Sequence, residues 1–236
     1  MKSGLIIIPA HNEEENIQTV LEDLLKQDFE LDILVVNDGS TDGTRACVER
    51  IPGVQMISHI FNLGYGAALQ TGFQYAVRNG YTFVVQFDAD GQHDPAYIRA
   101  LLAAGDADIV IGSRFLQKSE YQAGGLKMIA IRMMRLMIRF LTGVPITDPT
   151  SGFKRLSQRT LQYYAVTSNF PADYPDANLL IKMLHKKYRV KEVPVNIRPR
   201  LHGETMHSGL KPVAYVINIF ISTTVVLLRE YFREEK

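Results

Sequence analysis

"VVQFDADGQHDP", residues Val84 to Pro95, is the stretch on which the fold turns. Its first part is apolar, β-branched and aromatic, and reads as a buried strand. Directly after it come Asp88, Asp90 and Asp94, with Gln92 and His93 among them. In an extended segment, residues 88 and 90 point to the same side. Carboxylates so placed raise each other's pKa and disfavour joint ionisation. A divalent cation removes the conflict, because Mg²⁺ and Mn²⁺ prefer oxygen ligands, and Mg²⁺ uses one or two carboxylates together with substrate phosphates. Gln92 adds a neutral oxygen. Asp94, before Pro95, suits the cap of a following helix, and His93 reads as a hydrogen-bonding neighbour rather than a ligand. A D-x-D occurs often by chance. Its place at the end of an apolar strand gives it weight, and makes Asp88, Asp90 and Gln92 the expected metal site.

The chain around this stretch alternates strand and helix. "GLIIIPA" is a strand, and "HNEEENIQTVLEDLLKQ" is helical, with Asn12 and Glu15 at the spacing of a capping box. "DILVVND", "VQMISHI", "YTFVVQF" and "ADIVIGSRF" are further strands, separated by "TRACVERI" and by a helix opening at "NLGYGAALQTG". This order implies an α/β fold: a mostly parallel sheet with helices on both faces. Right-handed crossovers place the strand C-terminal ends on one edge, where such sheets bind ligands. Pro9-Ala10-His11-Asn12-Glu13, Asn37-Asp38 and Asp88-Ala89-Asp90 then share that edge.

The second half is less regular. "GLKMIAIRMMRLMIRFLTG" is one long helix with Arg132, Arg135 and Arg139 on a shared face and Met and Ile on the other. Two readings stand for it: a core helix with a solvated basic stripe, or a helix lying on an anionic membrane surface or on phosphates. "ITDPTSGFKRLS" reads as a loop, "DYPDANLLIKMLHKKY" as a helix, "RVKEVPVNIRPR" as a late strand and "LHGETMHSG" as a polar loop. The division expected is a catalytic domain over residues 1–210 and a C-terminal amphipathic or apolar helix over 211–236. The apolar run Val213 to Leu228 has 16 residues, about 24 Å as a helix, against about 30 Å of hydrocarbon. It is read as interfacial, partner-docking or core-packing.

Composition narrows the classes. The 236 residues are 46% hydrophobic, enough for one substantial core. Lys plus Arg number 26 and Asp plus Glu 25, a net charge of +1, so nothing favours nucleic acid as partner. The single cysteine, Cys47, excludes a disulfide framework within the chain and suits a cytoplasmic compartment. The N-terminal apolar run is too short for a signal peptide. There is no G-x-x-x-x-G-K-[ST] stretch, which argues against a P-loop NTPase. "GYGAALQTG" departs from the dinucleotide spacing.

Taken together, "IIIPAHNEEENI", "VVNDGSTDGT", "NLGYGAALQTGF", "QFDADGQHDP", "IGSRF", "DPTSGFKRLS" and "EVPVNIRPRLHGET" resemble a family 2 inverting glycosyltransferase of the GT-A (Rossmann-like) fold. The likeness is to the branch of dolichol-phosphate mannose synthases and polyprenyl-phosphate hexosyltransferases, from about residue 4 to 206. The resemblance implies transfer of a hexose from a nucleotide-diphosphate sugar, with inversion, using Mg²⁺ or Mn²⁺. It places Pro9, Ala10, Asn12, Glu13 and Gly66 around the nucleotide and Asp38 at the base or ribose. It puts Asp88, Asp90 and Gln92 on the metal and diphosphate, Arg114 toward the sugar or acceptor phosphate, and Arg200, with Thr205 nearby, on phosphate.

Two positions depart from the pattern the resemblance implies. Met206 stands where a lysine is usual, so that one phosphate contact is missing or supplied by Lys211. Asp176 stands where the mannose synthases carry an uncharged residue. A polyprenyl phosphate acceptor is already an anion and needs no base; a hydroxyl on a lipid-linked saccharide does. Asp176 therefore leaves both acceptors open, and suits a helix N-terminus equally well. The resulting expectation is an enzyme of cell-surface glycan synthesis, peripheral at the cytoplasmic face of the membrane, on a lipid or a membrane partner, with homo-oligomerisation left open. A sugar nucleotidyltransferase is disfavoured because "PAHNEEEN" is acidic where a basic pyrophosphate loop belongs; a non-catalytic binding protein is the remaining alternative.

Overall fold

The computed structural model describes residues 2–117, 125–171 and 177–199. Asp176, Arg200, Thr205, Met206, Lys211 and the whole of 211–236, all singled out above, lie outside them.

Seven strands form one sheet: β1 (Lys2–Ala10), β2 (Leu31–Asn37), β3 (Val54–Ser58), β4 (Tyr81–Gln86), β5 (Ile109–Ser113), β6 (Lys154–Ser157) and β7 (Val190–Pro194). Their order is β3-β2-β1-β4-β6-β5-β7. All pairs are parallel except those of β6, which runs antiparallel between β4 and β5. The helices are α1 (Ile17–Leu25), α2 (Thr44–Glu49), α3 (Tyr65–Arg78), α4 (Ile98–Ala103), α5 (Gly125–Thr142), α6 (Gln158–Tyr164) and α7 (Ala177–His185).

The apolar run of β1 serves two layers at once. Leu5 and Ile7 join a core with α3, α5, α6 and α7, while Ile6 and Ile8 join a second with α1, α2 and α4. Successive side chains point to opposite faces, so a strand covered on both sides is apolar throughout. Leu34 and Val36 alternate with Ile33 and Val35 in β2 in the same way, as Val84 does with Val85 in β4. The expected mostly parallel α/β sheet with helices on both faces is what forms.

Three local expectations change. Helix α1 begins only at Ile17, with Asn16 in the capping position. Asn12 has φ +55° and lies in a loop, so the Asn12–Glu15 capping box does not form. Second, "FKRLS" is not loop: Lys154–Ser157 is a sheet strand, with Lys154 buried beside Gln86. Third, the apolar residues of α5 surround the helix. Ile131, Met134 and Ile138 are buried, but Ile129, Met133, Leu136 and Phe140 are exposed. Arg135 turns away from Arg132 and Arg139, its guanidinium carbon 4.4 Å from the Phe115 ring centre.

Candidate active site

The ends of β1, β2 and β4 lie side by side, since Ala10 pairs with Asn37 and the Phe87 amide donates to Ile7 at 3.0 Å. The loop after β1 is stitched to the loop after β2. Asn12 N–H donates to Ser40 Oγ at 3.0 Å, and Thr41 N–H to Asn12 Oδ1 at 2.9 Å. Glu13 N–H donates to Thr44 Oγ1 at 2.8 Å, Glu14 N–H to Asp42 Oδ2 at 3.1 Å, and Gly43 N–H to Glu14 Oε2 at 2.6 Å. The acidic and amide side chains that look exposed in sequence thus satisfy the loop backbone, which buried or crowded loops require. Asp42 is held below the usual carboxylate range: burial opposes this, and the hydrogen bonds from Thr44 and Glu14 outweigh it.

Asp38 is buried, and both its oxygens are occupied within the protein. Oδ1 accepts from Leu63 N–H at 2.9 Å and lies 2.7 Å from His59 Nδ1, while Oδ2 accepts from Gly64 N–H at 2.8 Å. The carboxylate expected at the base or ribose thereby shapes the turn into α3. Gly39 completes this turn. It has φ +65°, and a Cβ there would lie 2.4 Å from the Phe61 carbonyl carbon. Gly66, expected at the nucleotide, is buried in the first turn of α3.

Strand β4 ends at Gln86, so Asp88 and Asp90 sit in a tight turn rather than in extended chain, with Gly91 at φ +76°. Asp90 is buried, and its Oδ1 accepts from Gln92 N–H at 3.0 Å. Asp88 is more open, and its Oδ1 accepts from Tyr65 Oη at 2.9 Å. His93 Nδ1 accepts from Asp88 N–H at 3.1 Å, which leaves the ring proton on Nε2, 3.5 Å from Asp88 Oδ2. The His93 ring stacks on Phe153 at 4.8 Å and meets Phe87 edge-on. It is the neighbour expected of it, held by two aromatics. Asp94 caps the following turn through Ala96 N–H at 3.0 Å, as expected.

Gly152 closes the far side of the turn: a Cβ there would lie 2.7 Å from Asp88 Oδ2. Two carboxylates of which one is open, a neighbouring amide, and a wall built for close approach fit a divalent cation shared with substrate phosphates. No group of three or more His, Cys, Asp or Glu side chains able to hold a metal occurs among the described residues.

Arg114 does not point into open space. Its Nε and Nη2 each meet an Asp148 oxygen at 2.7 Å, Nη2 also reaches Thr150 Oγ1 at 2.7 Å, and its backbone N–H donates to Asp148 at 3.0 Å. Asp148 is fully buried. The arginine expected on sugar or phosphate therefore anchors the 147–150 loop through a fork-shaped pair. Glu192, from β7, holds the same loop by accepting from Thr147 N–H at 2.8 Å and Asp148 N–H at 2.8 Å. Burial pushes the Glu192 carboxyl up, against the hydrogen bonds from Thr147 and Asp148.

The described chain closes on the acidic turn once more. Ile197 bridges His93, and Arg198 N–H donates to Gln92 O at 2.8 Å. Arg198 then reaches Asp94 and Asp23, two residues before Arg200 in sequence. Tyr65, Gly152, Asp148 and Arg198 all shape the site without having been assigned roles from sequence. Tyr65, Asp148 and Gly152 stand inside motifs quoted above, which was the available signal.

A doubly covered parallel sheet with an acidic turn at its carboxyl edge, and loops interlocked beside it, defines a nucleotide-sugar transferase of the GT-A type. Residues 5–163 match the family described as Glycosyl transferase family 2, and the chain belongs to it. It is a glycosyltransferase. It is 31% identical over 214 residues to the polyprenol monophosphomannose synthase of Mycolicibacterium smegmatis, covering 87% of this chain and 81% of that one. It is 32% identical over 231 residues to the undecaprenyl-phosphate mannosyltransferase of Micrococcus luteus, covering 91% of each. Among solved structures it superposes on glucosyl-3-phosphoglycerate synthase from Mycobacterium tuberculosis, in complex with Mn²⁺, UDP-glucose and phosphoglyceric acid. That match has a TM-score of 0.69 at 20% identity, covering 94% of this chain and 80% of that one.

Proposed function

We propose that this enzyme moves a hexose from a nucleoside-diphosphate sugar to a polyprenyl phosphate, with inversion at the anomeric carbon, at the cytoplasmic face of a membrane. The observation that carries the reading is the Asp88–Asp90–Gln92 turn, braced by Tyr65, His93 and Gly152, in a chain whose similar proteins are named for polyprenyl-phosphate mannosyl transfer. Mannose is accordingly the first sugar to test.

Asp88, Asp90 and Gln92 would hold Mg²⁺ or Mn²⁺, which supplies positive charge to the diphosphate leaving group. The protein's own part is positioning. Tyr65 and His93 orient Asp88, and the Gln92 amide orients Asp90. Ala10, at the end of β1, and the interlocked loops after β1 and β2, carrying Asn12 and Glu13, border the nucleotide half, and Arg200 is assigned to phosphate. The lipid phosphate attacks as an anion, so no side chain has to remove a proton. The hydroxyl-acceptor reading rests on Asp176 alone, which lies outside the described residues.

The test is a screen of nucleoside-diphosphate sugars with Mn²⁺ or Mg²⁺, with and without a polyprenyl phosphate. Formation of a glycosyl lipid from one donor is expected. Donor hydrolysis with no glycosyl lipid from any donor would overturn the acceptor.

A further inference from the structure

We infer that the cavity beneath the acidic turn, between β4, β6, α6 and α7, receives one hydroxyl of the hexose being transferred and so helps set which sugar is taken. This rests on the nucleoside-diphosphate hexose reading above and adds to it the groups that read the sugar.

The cavity has room for one water-sized group, about 10 Å³. Gln86, Lys154 and Tyr164 line it, against walls of Ile109, Phe170 and Leu179. Gln86 and Tyr164 are each 4% exposed. Among the described residues, neither the Gln86 amide nor the Tyr164 hydroxyl has a hydrogen-bonding partner. Polar groups so deep in a protein are almost always paired, and an unpaired one is costly. The Tyr164 ring is fixed, its centre 5.7 Å from that of Phe73 and 5.0 Å from that of Phe170. Burial pushes its hydroxyl far above the ordinary tyrosine pKa, so it stays protonated and can donate. A hydroxyl is both donor and acceptor, and it finds here a fixed donor and an amide that offers both. Lys154 brings a cationic donor to the same wall.

Sheet order determines what lies above. The strands run β2-β1-β4-β6. The nucleotide is assigned to the loops after β1 and β2, and the metal-bound diphosphate to the turn after β4. The hexose, at the far end of the diphosphate, therefore extends toward β6. Gln86 closes β4 and pairs with Lys154, the first residue of β6. Two residues beyond this rung, about 7 Å along the sheet, Gly152 closes on Asp88, where a Cβ would lie 2.7 Å from Asp88 Oδ2. The wall that carries Tyr164 is tied to the same turn. Gln70 of α3 donates to Tyr164 O at 3.1 Å, and Tyr65, which opens α3, donates to Asp88. A hexose hydroxyl directed at the β4–β6 junction thus meets Gln86, Lys154 and Tyr164.

A lone water would satisfy the same groups. The two occupants differ in one respect: only the hydroxyl is lost when the donor is changed. The room also excludes an N-acetyl group, so the donor class implied is a hexose unsubstituted at that carbon.

The test measures binding of GDP-mannose and of UDP-glucose to the full-length protein with Mn²⁺ by calorimetry, with no acceptor present. Whichever binds the more tightly is compared with its 2-, 3-, 4- and 6-deoxy forms. In the wild type one deoxy form should bind about 10- to 100-fold more weakly than the parent, since its entry leaves the buried groups unpaired. Y164F and Q86L should bind the parent about tenfold more weakly, and should bind that deoxy form no more weakly than the parent. A merely structural role would weaken all five donors alike. Equal binding of the four deoxy forms by the wild type, which needs no variant to fold, would overturn the inference. So would discrimination that persists in full in Y164F and Q86L, which would leave the cavity to water only. If one deoxy form is rejected through Tyr164 and Gln86 while no glycosyl lipid forms from any donor, the acceptor reading fails and the hydroxyl site stands. If neither nucleotide sugar binds, the inference falls together with the donor reading.

Discussion

Arg198 Nη2 donates to Asp94 Oδ1 at 3.0 Å, while the same guanidinium reaches Asp23 on α1 at 2.9 Å. With its backbone amide on Gln92 O, one residue fastens the acidic turn to both the late strand and the first helix. Asp23 is held below the usual carboxylate range: burial opposes this, and the hydrogen bonds from Lys26 and Arg198 outweigh it. Because these pairs are partly exposed, R198A should cost at most about 1 kcal/mol of stability. Asp23's share of that is present above a pH of about 3.9 and lost as pH falls through its lower folded value. The larger effect should be on the apparent affinity for Mn²⁺, weakened about tenfold as for other supports of metal ligands, and partly restored by R198K. Equal Mn²⁺ titrations of wild type and R198A would remove the positioning role.

Asp90 is buried in the turn and turned onto its own loop. D90A should lower glycosyl transfer about a thousandfold or more, as loss of a principal electrostatic contact does. The thermal midpoint should barely move. Full transfer by D90A at saturating Mn²⁺ would show that the cation is held elsewhere.

Gly152 is small because Asp88 is close. In G152A the added carbon would start 2.7 Å from Asp88 Oδ2 and push the carboxylate aside. Transfer should fall about 10- to 100-fold, with a raised Mn²⁺ requirement. Restoration of wild-type rate by excess Mn²⁺ is expected in part; an unaltered Mn²⁺ profile would mean that Asp88 does not ligate.

Arg114 and Asp148 separate an anchoring role from a substrate-binding one. Removing the partner of a fully buried carboxylate costs about 3–5 kcal/mol, so R114A should unfold at markedly lower denaturant concentration. R114K, which keeps the charge and loses the fork, should fall between. If R114A keeps wild-type stability but raises KM for the donor or acceptor, the residue works on substrate instead.

Glu192 gives a pH signature. Its folded pKa is raised by burial, so the stability it confers is complete below a pH of about 4.3, its unfolded value, and is lost as pH rises through the higher folded value. The difference in melting temperature between wild type and E192Q should therefore shift against the wild type as pH rises from 4 toward 7. A difference independent of pH would mean that the carboxyl titrates normally.

The core sheet was legible because β1, β2 and β4 are apolar on both faces, a pattern that leaves few alternatives to a covered parallel sheet. Strand β6 was not, because Lys154 and Arg155 give it the composition of a turn. Only the tertiary context shows Lys154 buried against β4. The acidic turn could be located, since it needs only a strand followed by carboxylates. Which acids face a ligand could not be read locally. Asp38 and Asp90 both follow strands, yet Asp38 is claimed by the amides of Leu63 and Gly64, about 25 residues downstream. Arg114 and Asp148 look equally available in sequence. Their pairing depends on a fold-back that no local pattern encodes.

The antiparallel insertion of β6 has a consequence for the order of folding. Gly112 N–H donates to Phe153 O at 2.8 Å, so the chain leaves the sheet after β5 and re-enters beside itself. The pairing of β5 with β6 therefore closes a long loop, an entropic cost that local strand pairs do not carry. The helix it carries offsets part of that cost, since Met134 and Ile138 join the same core as Ile109 and Ile111 of β5. The pairing of β1 with β2, nearer in sequence, is therefore expected to form before this half of the sheet is sewn in.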